Sequence, residues 1–285
     1  MRHRQPRWRA RARRGRRIRR ALLAVAALLF SLPLLWTLLA SLGVHPDMAR
    51  LPPTWSVPPS AQSYFEIGAA EAGFWWDLLS SVGISAIATA FGTALAFLAA
   101  YSLARARRGR TGRLAQVFLV LASIPVMAFV IPLDGTMRLL RLNDTFAGVV
   151  LAQAAVFAPL AVYVFYGQLR QIPLEYEEAA RMDGAGLLLT LARIVIPMNA
   201  AGCAATAIVL FALNWNSFLI PMVVTTHHVR TIPLAMSDFF VSDRELEWPT
   251  AAAALVISLA PLAALVAVAH RTLERFFLGT RQAGR

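Results

Sequence analysis

Apolar residues gather into six blocks along the chain, at Ala21–Leu42, Leu78–Leu103, Leu114–Leu133, Phe146–Gln168, Asn199–Val224 and Pro249–His270. Each is roughly 20 residues long, what an α-helix needs to cross about 30 Å of hydrocarbon at ~1.5 Å per residue. In lipid a backbone must satisfy its own hydrogen bonds, so blocks of this length predict helices. Glycine and alanine are frequent in them, as with Gly83, Gly92, Ala94 and Ala96 of the second block. Small residues let helix backbones approach closely, which points to a packed bundle rather than six separate anchors. The pattern predicts an all-α polytopic membrane protein with six transmembrane helices. It divides into an arginine-rich tail (1–20), a first span (21–42), a loop (43–76), a five-helix core (77–270) and a second tail (271–285).

Charge orients this bundle. Of 285 residues 58% are hydrophobic and only 15% charged, and the net charge is +13. Every basic side chain other than histidine is arginine. Eleven arginines lie in the first 20 residues, five between spans two and three (Arg105, Arg107, Arg108, Arg110, Arg113), three between spans four and five (Arg170, Arg181, Arg193) and four after span six. Six crossings put these segments on one side and leave five arginines (Arg50, Arg138, Arg141, Arg230, Arg244) on the other. The positive-inside rule then predicts that both termini are cytoplasmic. The basic N-terminus also admits a nucleic-acid arm or a cleavable signal peptide. The apolar run after Arg20 exceeds a usual signal core, so we read an uncleaved span with an arginine anchor attracted to anionic lipid. The outer loop is proline-rich (Pro46, Pro52, Pro53, Pro58, Pro59), and Trp55, Tyr64, Phe65, Trp75 and Trp76 fit an interfacial aromatic layer.

What is missing narrows the chemistry. Without lysine the chain cannot form a Walker A phosphate loop or a lysine Schiff base. The single cysteine, Cys203, excludes an internal disulfide, and adjacent His227 and His228 have no third ligand at metal spacing, so no metal is expected. Ionisable residues are nearly absent from the spans, Asp77 and His270 lying at their ends. Ion-coupled carriers place such groups at mid-membrane, so the energy source is expected to lie elsewhere. The interior polar groups are neutral: Gln116, Gln153, Asn199, Asn214 and Asn216. They suit either a hydroxylated solute or bonding between neighbouring helices.

The segment from Gln171 to Pro197 is the most informative. Pro173 suits a helix start, followed by Glu175, Glu177 and Glu178 where the helix dipole favours negative charge. Gly184 and Gly186 can end that helix and turn the chain. A second helical piece, Leu187–Ile196, follows, and Pro197 marks the start of span five. Ala179 and Ala180 offer a smooth surface on which a partner can sit closely. The residues alone allow a docking helix or a plain surface helix.

The same segment resembles the EAA loop of binding-protein-dependent ABC importer permeases: Glu-Ala-Ala, three residues, Gly, nine residues, then Ile-x-Leu-Pro. Glu178, Ala179, Ala180, Gly184, Ile194 and Pro197 match at that spacing, with Ile196 in place of leucine. Asn214-Trp-Asn-Ser-Phe-Leu-Ile-Pro221 is similar to the Trp-Asn-x-Phe-Leu-x-Pro stretch of the sugar-type permeases, with Ser217 where an acid is common. Thr231-Ile-Pro-Leu234, Leu34-Leu-Trp-Thr37 and Ala99-Ala-Tyr-Ser-Leu-Ala-Arg105 also look like that group, and the likeness covers most of the chain after Arg20. It is nearest the shorter, six-span permease of maltose-type transporters, with the type I (MetI-like) bundle that this implies. The tail from Arg275 resembles the family's Tyr-Phe-x-x-Gly-x-x-x-Gly ending but is shortened.

The resemblance implies a bacterial plasma-membrane complex of two different permeases, two ATP-binding subunits and an extracytoplasmic solute-binding protein. This chain would have no ATPase site and no cofactor of its own. Glu178, Ala179, Ala180, Asp183, Gly184, Ile194 and Pro197 would couple it to the ATPase. Asn214, Trp215, Asn216, Phe218 and Pro221 are the candidate pathway wall, with helix packing as the other reading of Trp215. The solute expected is a sugar or oligosaccharide. A polyol, glycerol phosphate, amino acid, polyamine or metal remains open within the same fold, as does a scaffold that transports nothing.

Overall fold

A computed structural model describes residues 7–47, 54–55, 58–70, 72–106, 111–241 and 248–282. Outside these lie Arg50, Pro52, Pro53, Arg107, Arg108, Arg110, Arg244 and both chain ends. The chain divides into two compact units: Met1–Ala70 with Asp243–Ile257, and Glu71–Ser242 with Ser258–Arg285.

In the first unit, helix α1 (Arg7–Ser41) carries the apolar first span, and its helical backbone begins within the arginine-rich tail rather than at Ala21. Leu22, Leu28 and Phe30 are exposed on it, as lipid-facing residues must be. The loop after α1 is not irregular throughout. It holds a two-residue antiparallel ladder, β1 (Pro46–Asp47) with β2 (Thr54–Trp55), and then α2 (Gln62–Ala70). The Ser41 and Tyr64 hydroxyls share a 2.7 Å hydrogen bond, and the Thr250 hydroxyl donates to Glu66 at 3.4 Å.

The second unit is built on α3 (Ala72–Arg105) and α6 (Phe146–Leu169), its most extensively packed pair. Their meeting faces are small: Ala88, Ala96 and Ala100 on one, Ala152, Ala154 and Ala161 on the other, all buried. An added Cβ at Gly92 would reach Ala154 at 3.7 Å, so the two backbones pass close together, as small residues permit. Phe97 and Phe165 fill the widening end of this seam edge to face, 5.3 Å apart. Against the pair lie α4 (Thr111–Ala122), α5 (Val130–Leu139) after a short 3-10 turn at Val126–Phe129, α10 (Ala200–Trp215) and α11 (Leu219–Val224). Between α6 and α10 come α7 (Glu175–Met182), α8 (Leu187–Thr190), a π-helical turn (Leu191–Val195) and α9 (Ile196–Met198). The connection after α11 contains α12 (Ile232–Val241), and α13 (Trp248–Gln282) is the last described helix.

Among the described residues four helices are long and apolar enough to cross a membrane, and the number rises to as many as six where each of two bent pairs counts as one span. The bent pairs correct two expected spans. The third span is not continuous over Leu114–Leu133: it breaks at Ser123–Pro125, and Thr111–Ala122 meets Val126–Leu139 at 92°. Pro125 has no N–H to continue the helix. The fifth is not continuous over Asn199–Val224 either. It bends by 81° at Asn199, and α10 stops at Trp215 after 16 residues, roughly 24 Å of helix. The sixth runs past His270 without interruption to Gln282.

Candidate functional site: residues 171–197 and the broken spans

Helix α7 places Glu175, Glu177 and Glu178 in its first turn, where the unpaired N–H groups and the helix dipole favour acids. It closes in a Schellman motif. The Ala185 N–H donates to the Ala180 carbonyl at 2.9 Å and the Gly184 N–H to that of Arg181 at 3.0 Å. The motif needs a left-handed residue just past the helix, and Gly184 supplies it with φ +83°. The bend expected at Gly184 is therefore a fixed turn.

The helix has two unlike faces. Glu178, Ala179 and Asp183 are exposed, together with Tyr176 and Met182. Ala180 is buried against the bundle, so the smooth surface expected of both alanines belongs to Ala179 alone. Beyond the turn, Leu187 and Leu188 are exposed, Leu188 at 80%, continuing the apolar display begun by Met182. Ile194 lies half-buried in the π-helical turn, and Pro197 is exposed two residues before the bend at Asn199. The second helical piece thus extends through Met198, with Pro197 inside it.

Glu177 is where sequence reasoning fell short. Its side chain is fully buried, accepting from Arg105 Nε at 2.7 Å and Nη2 at 2.6 Å on one oxygen and from the Tyr101 hydroxyl at 2.6 Å on the other. Arg105 also donates to the carbonyls of Leu169, at 3.1 Å, and Ile172, at 3.4 Å. A carboxylate taken out of water requires such a set of charged and hydroxyl donors. A clue lay in spacing: Glu177 stands three residues before Ala180, on the face that turns inward.

The candidate pathway residues divide. Asn214 and Trp215 are buried within the bundle, as is Pro221. The Asn214 amide donates to the Thr89 hydroxyl at 3.0 Å, its backbone carbonyl accepts from Gln153 at 3.4 Å, and Trp215 stacks on Phe211 at 6.0 Å. Asn216 and Phe218 instead line a cavity of about 640 Å³ shared with Val126, Phe157 and Leu213. The third span restarts and the fifth span stops at this one cleft. A second, nearly apolar groove of about 760 Å³ runs between α3, α10 and α13, past Thr89, Thr93, Cys203 and Val268. Of the other interior amides, Gln116 is exposed, whereas Asn199 is buried and donates to Gln168 Oε1 at 3.0 Å.

At the end of the bundle remote from α7, Asp144 ties two loops together. Its carboxylate accepts from the backbone N–H groups of Thr226, His227, His228 and Val229 at 3.0–3.4 Å and from the Thr226 hydroxyl at 2.9 Å. Burial would raise its pKa, but these donors outweigh it and hold the carboxyl well below the usual carboxylate range. Its positive φ of 55° is one that aspartate tolerates better than most residues. Among the described residues no group of three His, Cys, Asp or Glu side chains could hold a metal.

Known proteins share this arrangement. A putative ABC transporter permease protein from Streptomyces antibioticus, ORF1, is 29% identical over 82% of this chain and 97% of its own length. The trehalose transport system permease protein SugB of Mycobacterium tuberculosis is 33% identical over 68% of this chain and 72% of its own. Among solved structures, a chain of a bacterial ABC transporter that imports the acidic polysaccharide alginate superposes with a TM-score of 0.75 at 20% identity, covering 91% of this chain and 96% of that one. The model of the family described as binding-protein-dependent transport system inner membrane component matches residues 92–278, which contain residues 171–197 and both bent helix pairs. This chain is a membrane permease belonging to that family.

Proposed function

We propose that the chain is one permease of a bacterial sugar importer, driven by ATP that separate subunits hydrolyse. It works beside a second permease, two ATP-binding subunits and an extracytoplasmic solute-binding protein. Both termini and residues 171–197 face the cytoplasm, where most of the arginines lie. The observation that carries this reading is the two-faced helix α7. One face is pinned to the bundle through Glu177 and Ala180, and the other offers Glu178, Ala179 and Met182 to a partner. ATP-driven closure of the partner would push α7, and alternating access follows as rigid-body motion of the packed helices.

Sugar is favoured by the trehalose permease among the relatives and by the neutral lining of the cleft at Asn216 and Phe218. An amide and an aromatic ring are groups that hydrogen-bond hydroxyls and stack on sugar rings. The cleft takes Asn216 and Phe218 from the candidate wall, whereas Asn214, Trp215 and Pro221 support it from behind.

Co-expression with the neighbouring transporter genes, followed by purification through a tag on this chain, tests the assignment. The ATP-binding subunit should co-purify, and Glu178→Lys or Gly184→Pro should abolish ATP-dependent uptake of radiolabelled trehalose or maltose while leaving the chain in the membrane. Normal uptake by both variants would sink the coupling role.

A further inference from the structure

We propose that Arg105 and Glu177 form the linkage through which movement of the coupling helix enters the membrane bundle, both acting as positioning residues. This rests on the reading of residues 171–197 as the ATPase dock. A helix of eight residues has little apolar area with which to grip the bundle, and α7 buries mainly Glu177 and Ala180. Apolar contacts are non-directional, so a pushed helix held only by them can slide. A guanidinium fork has fixed geometry and resists that.

Arg105 has this geometry towards three elements at once. It ends α3, it binds the Leu169 and Ile172 carbonyls where α6 finishes, and it grips Glu177 of α7. Tyr101, one turn earlier on α3, takes the second carboxylate oxygen. Arg181, on α7 itself, stands off at 3.8 Å and is exposed, so the grip faces the bundle. The helices joined in this way, α3 and α6, are the most extensively packed pair. A displacement of α7 therefore moves the α3–α6 pair as a unit. Without the fork α7 would shift against it.

The test uses the assembled complex with its ATP-binding subunits, in a Cys203→Ser background. Spin labels are placed at Glu175→Cys in the exposed first turn of α7 and, separately, at Leu79→Cys on α3. Adding ATP and vanadate should shift the distances of both labels to the second permease in the otherwise native chain. In Glu177→Gln, which keeps the side-chain shape but not the charge, and in Arg105→Lys, which keeps the charge but not the fork, the Glu175 label should still shift and the Leu79 shift should be lost. Tyr101→Phe, which leaves the ion pair intact, should diminish the Leu79 shift without abolishing it. A full Leu79 shift in Glu177→Gln and Arg105→Lys overturns the proposal. So does loss of the ATP-binding subunit from both on purification, since the pair would then serve assembly alone. If the native chain itself fails to retain that subunit, the docking reading falls and this linkage with it.

Discussion

Position 148 leaves no room for a side chain. A Cβ there would collide with the Leu142 carbonyl, where the Thr145 hydroxyl accepts from the Gly148 N–H and caps α6. Gly148→Ala is expected to lower stability by about 1–3 kcal/mol through overpacking, read as an earlier melting transition in detergent. Asp144 poses the opposite case, a charge whose neighbours all donate to it. Its depressed pKa means that the stabilisation is complete above the ordinary carboxylate range and is lost only as pH falls through the lower folded value. Mild acidification to about pH 5, still above the ordinary value for aspartate, should therefore leave the loop closed. Asp144→Asn should open it at every pH, raising hydrogen exchange at the amides of residues 226–229 by about tenfold or more, as loss of a charge-assisted bond of ~1.5–3 kcal/mol requires. Residues of this kind were illegible in the sequence, because Asp144 and its donors are more than 80 positions apart. Glu177 and Arg105, separated by 72, were hidden for the same reason.

At the scale of elements, hydropathy reports which stretches meet lipid but not whether their backbone is continuous. The first, second, fourth and sixth spans were legible to within a few residues at most ends. The third and fifth looked like the others, yet both break. Ser123-Ile-Pro125 carried the signal for one break in its proline. Asn199 carries the other less openly: its amide bonds Gln168 of α6, and Gly202 makes room for the two side chains. A Cβ at Gly202 would lie 2.5 Å from Gln168 Oε1. Gly202→Ala should therefore push the Asn199 and Gln168 side-chain ends apart, weakening their bond beside the 81° bend and lowering uptake, even though alanine is the better helix former by ~1 kcal/mol. Gly184 gives a contrast, since a Cβ there meets nothing. Gly184→Ala should cost only the backbone strain of a left-handed residue, about 1–2 kcal/mol, and leave partial uptake. Comparing the two alanine variants in one uptake assay separates a packing requirement from a conformational one.

For the whole molecule, the resemblance of residues 171–197 and of the Asn214–Pro221 stretch was readable from the sequence, and with it the permease family. The division of labour within the Asn214–Pro221 stretch was not, because three of its five named residues turn inward and two outward over a helix end that no periodicity predicts. Arg105 at the end of the second span is paired with Glu177 of α7, and Arg138 in the third with Asp134, and paired groups are poorly placed to load and release a coupling ion. Uptake into inside-out-free vesicles loaded with ATP should persist when a protonophore collapses the proton gradient and should stop when ATP is withheld. The reverse result would demand an ion-binding site that these pairs do not offer.

The shared guanidinium at the end of α3 also limits how such permeases can be recombined. A docking segment grafted from one permease to another brings its buried acid with it but not the arginine that neutralises it, which sits in the recipient's second span. Chimeras exchanging residues 171–197 should insert and function when the recipient has arginine at the position of Arg105 and fail when it has an uncharged residue there. On the reading of residues 171–197 as the ATPase dock, a swap of partner then takes two changes in the chain rather than one: the dock itself and the arginine that receives its acid.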